Sequence, residues 1–168
     1  YFRATDKAKL KAIYDEINQL EKSKVEISQY TTYTEEYREI LGLIDLFLYD
    51  FKAADSIRHR ELTGVENELI LENLCRLNEA GAVIFLRCPL VPGVNDSPEH
   101  LAAIAGWAER LSGVEEVTLE PYHPLGMEKA ERLGRCGTLK CRNFPPPESV
   151  NAWRKTVASR TRKRVVVS

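Results

Sequence analysis

The stretch Leu43-Ile44-Asp45-Leu46-Phe47-Leu48-Tyr49-Asp50-Phe51 decides the fold. It is apolar at nearly every position, and it is bounded by Gly42 and by the polar run that starts at Lys52. A strand buried on both faces reads as a continuous apolar run, and that burial belongs to parallel sheets. Downstream, residues 67–80 carry Ile70, Leu71, Leu74 and Leu77 at helical spacing, with Gly81 in place to end the helix. Residues 82–91 form a second apolar strand, stopped by Pro92-Gly93. Ser97-Pro98 opens another helix, where proline at the first position loses nothing because its N–H would be unpaired anyway. Leu101, Ile104, Ala105, Ala108 and Leu111 mark the inner face of that helix, and Gly113 ends it. Residues 114–121 are a third strand. Pro145-Pro146-Pro147 marks a linker. A last helix over 148 to about 160 turns Val150, Trp153 and Val157 inward, and a terminal strand covers 164–167.

Upstream of the deciding stretch, Leu10, Ile13, Tyr14, Ile17 and Leu20 predict an amphipathic helix over 5 to about 21. A weak strand over 24–28 and a short helix from Thr34 to the Gly42 stop follow. Strands alternating with helices imply right-handed parallel βαβ units. An open doubly wound sheet and a piece of a (β/α) barrel both satisfy that order. Four or five strands are too few to close eight.

The chain has 168 residues and a formal net charge of −1. Such a balance offers no electrostatic case for nucleic acid or an anionic membrane as partner. No apolar run reaches membrane-spanning length, and no secretory leader is visible in the first residues. Of the four cysteines, Cys75 and Cys88 fall in apolar contexts that suit buried reduced thiols, and the set does not read as a secreted disulfide framework. A cytoplasmic protein is expected. Residue 1 is Tyr, which leads us to expect a fragment, though a processed protein reads the same way.

Ligands of parallel α/β folds bind at the carboxyl ends of the strands. Strand alternation puts Asp50 and Lys52 on one face, with Phe51 on the other. Arg87 lies in the next strand, and Leu119-Glu120-Pro121-Tyr122-His123 ends the third. Together these make a polar pocket suited to a small zwitterion. Lys52 and Arg87 can meet a carboxylate, Asp50 an ammonium or cation, and His123 can donate a hydrogen bond or move a proton. A plain salt bridge at a strand end fits the Asp50–Lys52 pair as well. His59 and His100 read as solvent-facing. Cys136 and Cys141 have neither a zinc-knuckle spacing nor a following histidine. The basic run Arg154, Lys155, Arg160, Arg162, Lys163 and Arg164 reads as a solvated helix end, with an acidic partner as the other option.

Several blocks occur in a fixed order. Asp45-Leu46-Phe47-Leu48-Tyr49-Asp50-Phe51-Lys52 comes first, then His59, Thr63-Gly64, Asn67, Ile70-Leu71 and Asn73-Leu74. Arg87, Pro89-Leu90-Val91-Pro92-Gly93-Val94-Asn95-Asp96, Pro121-Tyr122-His123, Lys129 and Leu133-Gly134 follow. In this the sequence resembles the pyruvate formate-lyase activating enzymes and related glycyl-radical-enzyme activases of the radical S-adenosylmethionine (SAM) superfamily. The resemblance implies an α/β fold, a partial (β/α) barrel of the radical SAM type of which residues 1–168, as one domain, are the C-terminal part, with the N-terminal cluster-binding part absent. It implies a cofactor-binding set of Asp50, Phe51, Lys52, Arg87 and His123, with Asp50 also at a cation site and Phe51 the variable apolar residue between the charged pair.

In that family a CxxxCxxC motif holds a [4Fe–4S] cluster whose open iron binds SAM. An electron from the cluster cleaves SAM to methionine and a 5′-deoxyadenosyl radical, which takes a hydrogen atom from a glycine of the partner. The implied partners are a glycyl radical enzyme of the pyruvate formate-lyase type and an electron donor such as flavodoxin or ferredoxin. No CxxxCxxC and no Gly-Gly-Glu strand occur among these residues, so the chain alone is expected to be inactive. A non-catalytic half-barrel that contacts a partner protein, and a metal-free metabolite enzyme, are the competing expectations. The ordered blocks argue against the second of these.

Overall fold

The computed structural model describes residues 44–124 and 143–168. The helices expected over 5–21 and 34–42, the strand expected over 24–28, Cys136, Cys141, Lys129 and Leu133-Gly134 lie outside them. In chain order the described elements are β1 (Phe47–Asp50), α1 (Ser56–Thr63), α2 (Glu68–Glu79), β2 (Ile84–Leu90), α3 (Pro98–Arg110), β3 (Val114–Pro121), α4 (Pro147–Ala158) and β4 (Arg164–Val167). The four strands form one sheet in the order β1-β2-β3-β4, with every pair parallel. Neighbours in the chain are therefore neighbours in the sheet, as successive βα units winding in one direction require.

Each element ends where local chemistry stops it. Ser97 caps α3 by accepting from His100 N, and Asp55 caps α1 by accepting from Arg58 N at 2.7 Å. Gly64 closes α1 at φ 87°, a left-handed conformation that side chains resist.

The apolar run was expected to be buried on both faces. Instead Phe47, Tyr49 and Phe51 are buried, while Leu48, Asp50 and Lys52 are half-buried. β2 alternates likewise, with Ile84, Leu86, Cys88 and Leu90 inside. These side chains join Ile70, Leu74 and Leu77 of α2, Leu101, Ile104, Ala105 and Ala108 of α3, and Trp153 and Val157 of α4 in one core. Among the described residues the helices thus cover one face of the sheet and leave the other accessible. Each such aliphatic side chain contributes roughly 1.5–3 kcal/mol gross on burial. The buried Tyr49 hydroxyl donates to Ile70 O at 2.6 Å and so ties β1 to α2.

His59, expected at the surface, is 2% exposed. Its Nδ1 lies 2.7 Å from Val65 O, an acceptor only, so Nδ1 carries the proton and donates to the turn after α1. That bond makes burial of an imidazole on an otherwise polar helix tolerable. The basic run also differs from a merely solvated end. Arg162 holds Glu109 of α3 through Nη2 at 2.6 Å, and Arg164 reaches Glu116 of β3 at 3.3 Å. The Arg162 backbone N–H, the Thr161 hydroxyl and the Arg162 side chain together hold the Glu109 carboxyl down at about 2. No helix among the described residues is long and apolar enough to cross a membrane.

Candidate functional site

Register decides what meets on the accessible face. Asp50 is paired with Arg87 across β1–β2, and Pro89 with Glu120 across β2–β3. Lys52 and Asp50 share a face, and Lys52 Nζ lies 3.8 Å from Asp50 Oδ2. Arg87 Nε is 3.9 Å from Asp50 Oδ1 and donates to Glu120 Oε1 at 2.7 Å. Glu120 stands two residues further along its strand than the direct partner of Arg87, a diagonal that a long side chain spans. The result is a row of alternating charge, Lys52, Asp50, Arg87, Glu120, across the carboxyl ends of three strands. All four side chains are between 23% and 36% exposed, so a ligand can reach them.

His123 is exposed, two residues beyond the end of β3. Tyr122 N donates to Leu90 O at 2.9 Å, which extends the ladder past the strand and keeps the His123 segment at the same end of the sheet as Lys52. One strand separates them, so their strand axes are roughly 10 Å apart.

Phe51 stands apart from this group. Its side chain is 2% exposed on the helix-covered face, stacked on the His100 ring at 5.9 Å and tilted against Trp107 at 6.3 Å. Only its backbone borders the charge row, with Phe51 N donating to Arg87 O at 2.7 Å.

His100, expected at the surface, is half-buried by that stack, and its Nδ1 accepts from Ala54 N at 3.4 Å. Burial depresses its pKa from 6.5 to about 4. An unfolded chain takes up that proton near 6.5 and the folded chain only near 4, so stability falls as the pH drops through this window. Denaturant titrations of the full chain between pH 7 and pH 4 should show a decline that His100→Phe reduces. An equal decline in that variant would refute the assignment.

No protein-family model matches the chain. It is 45% identical over 94 residues to the choline trimethylamine-lyase activating enzyme of Oleidesulfovibrio alaskensis, covering 54% of this chain and 30% of that protein. It is 30% identical over 129 residues to the pyruvate formate-lyase-activating enzyme of Streptococcus mutans, covering 77% of this chain and 49% of that protein. Over these residues the chain is homologous to the glycyl-radical-enzyme activating enzymes. This homologue spans about a third to a half of the length of the curated relatives it matches. Its fold is that of a solved domain of the pyruvate-formate lyase-activating enzyme from Bacteroides vulgatus, with a TM-score of 0.64, 24% identity, and coverage of 80% of this chain and 74% of that one. The expected α/β fold is therefore the one adopted, with a four-stranded parallel sheet among the described residues.

Sequence reasoning passed over two residues of this activating-enzyme homologue. Glu120 was readable from β3 alternation, which puts it on the same face as Thr118. Asn95, 7% exposed, was readable only as part of a loop. A recess of about 520 Å³ opens beside the site between the β1–α1 loop and the start of α3. Ala53, Ala54, Arg58, His100 and Ala103 line it, and Asp50, Lys52, Arg87 and His123 do not. Among the described residues no three Cys, His, Asp or Glu side chains form a group that could hold a metal. Cys88 is fully buried, and burial first, then the charges of Glu120 and Asp50, push its thiol well up, which makes it a packing residue.

Proposed function

We propose that the chain forms the SAM-facing, C-terminal part of a cytoplasmic activating enzyme that installs a glycyl radical on a partner enzyme. The observation that carries this reading is the Lys52–Asp50–Arg87 group within 4 Å on the face of the sheet opposite the described helices, at the end that carries His123. Its donor set suits the amino-acid end of SAM. Two cations meet the carboxylate and a carboxylate meets the ammonium, while His123 adds a hydrogen bond from the third strand. Of the expected binding set, Phe51 contributes backbone only. The names of the relatives support a glycyl radical enzyme as partner.

The described residues offer no group of ligands that fits an iron–sulfur cluster, and the sequence contains no CxxxCxxC, so the reading assigns its ligands to a further part of a parent protein. A [4Fe–4S] cluster held in that part would supply the electron for SAM cleavage, with flavodoxin or ferredoxin as the class of donor that would reduce it. This chain's residues bind and orient SAM and help to exclude water. The full-length parent, reconstituted and reduced without oxygen, should cleave SAM to methionine and 5′-deoxyadenosine and give a glycyl radical signal on its partner in electron paramagnetic resonance. The 168-residue chain treated the same way should show no iron–sulfur absorbance. A parent that binds a cluster yet leaves SAM intact would overturn the proposal.

A further inference from the structure

We infer that Asn95 is a positioning residue for the ligand site: its carboxamide locks the Lys52 backbone to the turn that follows β2. The inference rests on the SAM reading of the charge row and extends it to a residue that acts through Lys52. Asn95 Nδ2 donates to Lys52 O at 2.9 Å and to Pro89 O at 2.7 Å. Its Oδ1 accepts from Val91 N at 2.7 Å. A carboxamide has two donors and an acceptor oxygen, and all are engaged with backbone here.

The placement matters because regular pairing stops where the site begins. The last β1 pair is Asp50 with Arg87, and Phe51 N adds one more bond. Lys52 lies beyond that, where a strand end frays unless its polar groups are satisfied. Side chains take over the role of the ladder. Asn95 holds Lys52 O, while Asn67 Nδ2 donates to Ala53 O and Ala54 O, each at 3.0 Å. His100 Nδ1 accepts from Ala54 N. Residues 52–54 are thus held by three side chains from elsewhere in the chain. The Lys52 side chain keeps 36% exposure on a fixed base. Asn95 is the clamp on the ligand-bearing residue itself.

A fold clasp and a positioning residue differ in coupling. If Asn95 acts through Lys52, its loss matters only while the ammonium is there to be aimed. SAM affinity is measured by equilibrium dialysis on the unreduced full-length parent and on Asn95→Ala, Lys52→Ala and the double variant, with thermal midpoints alongside. Asn95→Ala should weaken binding about tenfold in the parent and less than about twofold in the Lys52→Ala background. Asn95→Ser, which keeps one hydroxyl donor, serves the same cycle if the alanine variant does not fold. Equal losses in both backgrounds, or unchanged affinity at position 95 while Lys52→Ala binds weakly, would overturn the inference and leave the site reading intact. Unchanged affinity in Lys52→Ala would overturn both.

Discussion

Lys52→Ala in the full-length parent is expected to weaken SAM binding about a hundredfold, and His123→Ala about tenfold. The unequal sizes follow from charge. Lys52 offers an ammonium beside the Asp50 carboxylate, and hydrogen bonds made by ionised groups stabilise by roughly 1.5–3 kcal/mol each, about twice a neutral one. Removing it also leaves Asp50 with Arg87 at 3.9 Å as its remaining cation in the row, while Arg87 is already committed to Glu120 at 2.7 Å. His123 is exposed and stands on the third strand, so its contact is assigned as a single hydrogen bond. Calorimetric titration of SAM into each variant provides the measurement. Full affinity in both would reject the assignment of these side chains to the ligand, whatever the activity of the parent.

The second large effect concerns the scaffold. Gly113→Ala should destabilise the fold by about 2–4 kcal/mol, read from urea unfolding midpoints. A Cβ built there falls far inside van der Waals contact with the backbone carbonyl of Ala82 and 3.3 Å from Asn78 Oδ1. Backbone cannot rotate away as a side-chain end would. Gly113 also holds two bonds that place the start of β2. Its N–H donates to Asn78 Oδ1 at 2.8 Å, and its carbonyl accepts from Ile84 N at 2.8 Å. Gly106 supplies the control. It lies exposed within α3 with nothing near its Cβ position, so Gly106→Ala should stabilise by about 0.5–1 kcal/mol through helix propensity. Two identical substitutions seven residues apart thus carry opposite signs. A Gly113→Ala midpoint equal to that of the wild type would show that the β3 entry turn moves freely.

Element order was readable from local signals because those signals are strong here. Ser97-Pro98, Gly81 and Pro92-Gly93 punctuate the chain, and β3 and β4 have the bounds that the pattern alone predicts. The short α1 leaves no amphipathic signal in the sequence, since one residue in its eight is buried. Both histidines were misplaced for a related reason. His59 sits on a polar stretch and His100 in the first turn of its helix, both ordinarily surface positions, and neither the bond from His59 to the Val65 carbonyl nor the stack of His100 on Phe51 shows in a local pattern.

By itself, the sequence determined the alternation of strands and helices, the parallel sheet, and the candidate residues Asp50, Lys52, Arg87 and His123 at strand ends. Period-two alternation and turn chemistry are properties of neighbours along the chain. Tertiary structure alone decided which face the helices cover, that Phe51 stacks on His100, that Glu120 completes the charge row, and that Asn95 grips Lys52. Those outcomes depend on strand register and on contacts between residues 33 and 43 positions apart, as for Arg87 with Glu120 and Lys52 with Asn95, and no local pattern encodes such distances.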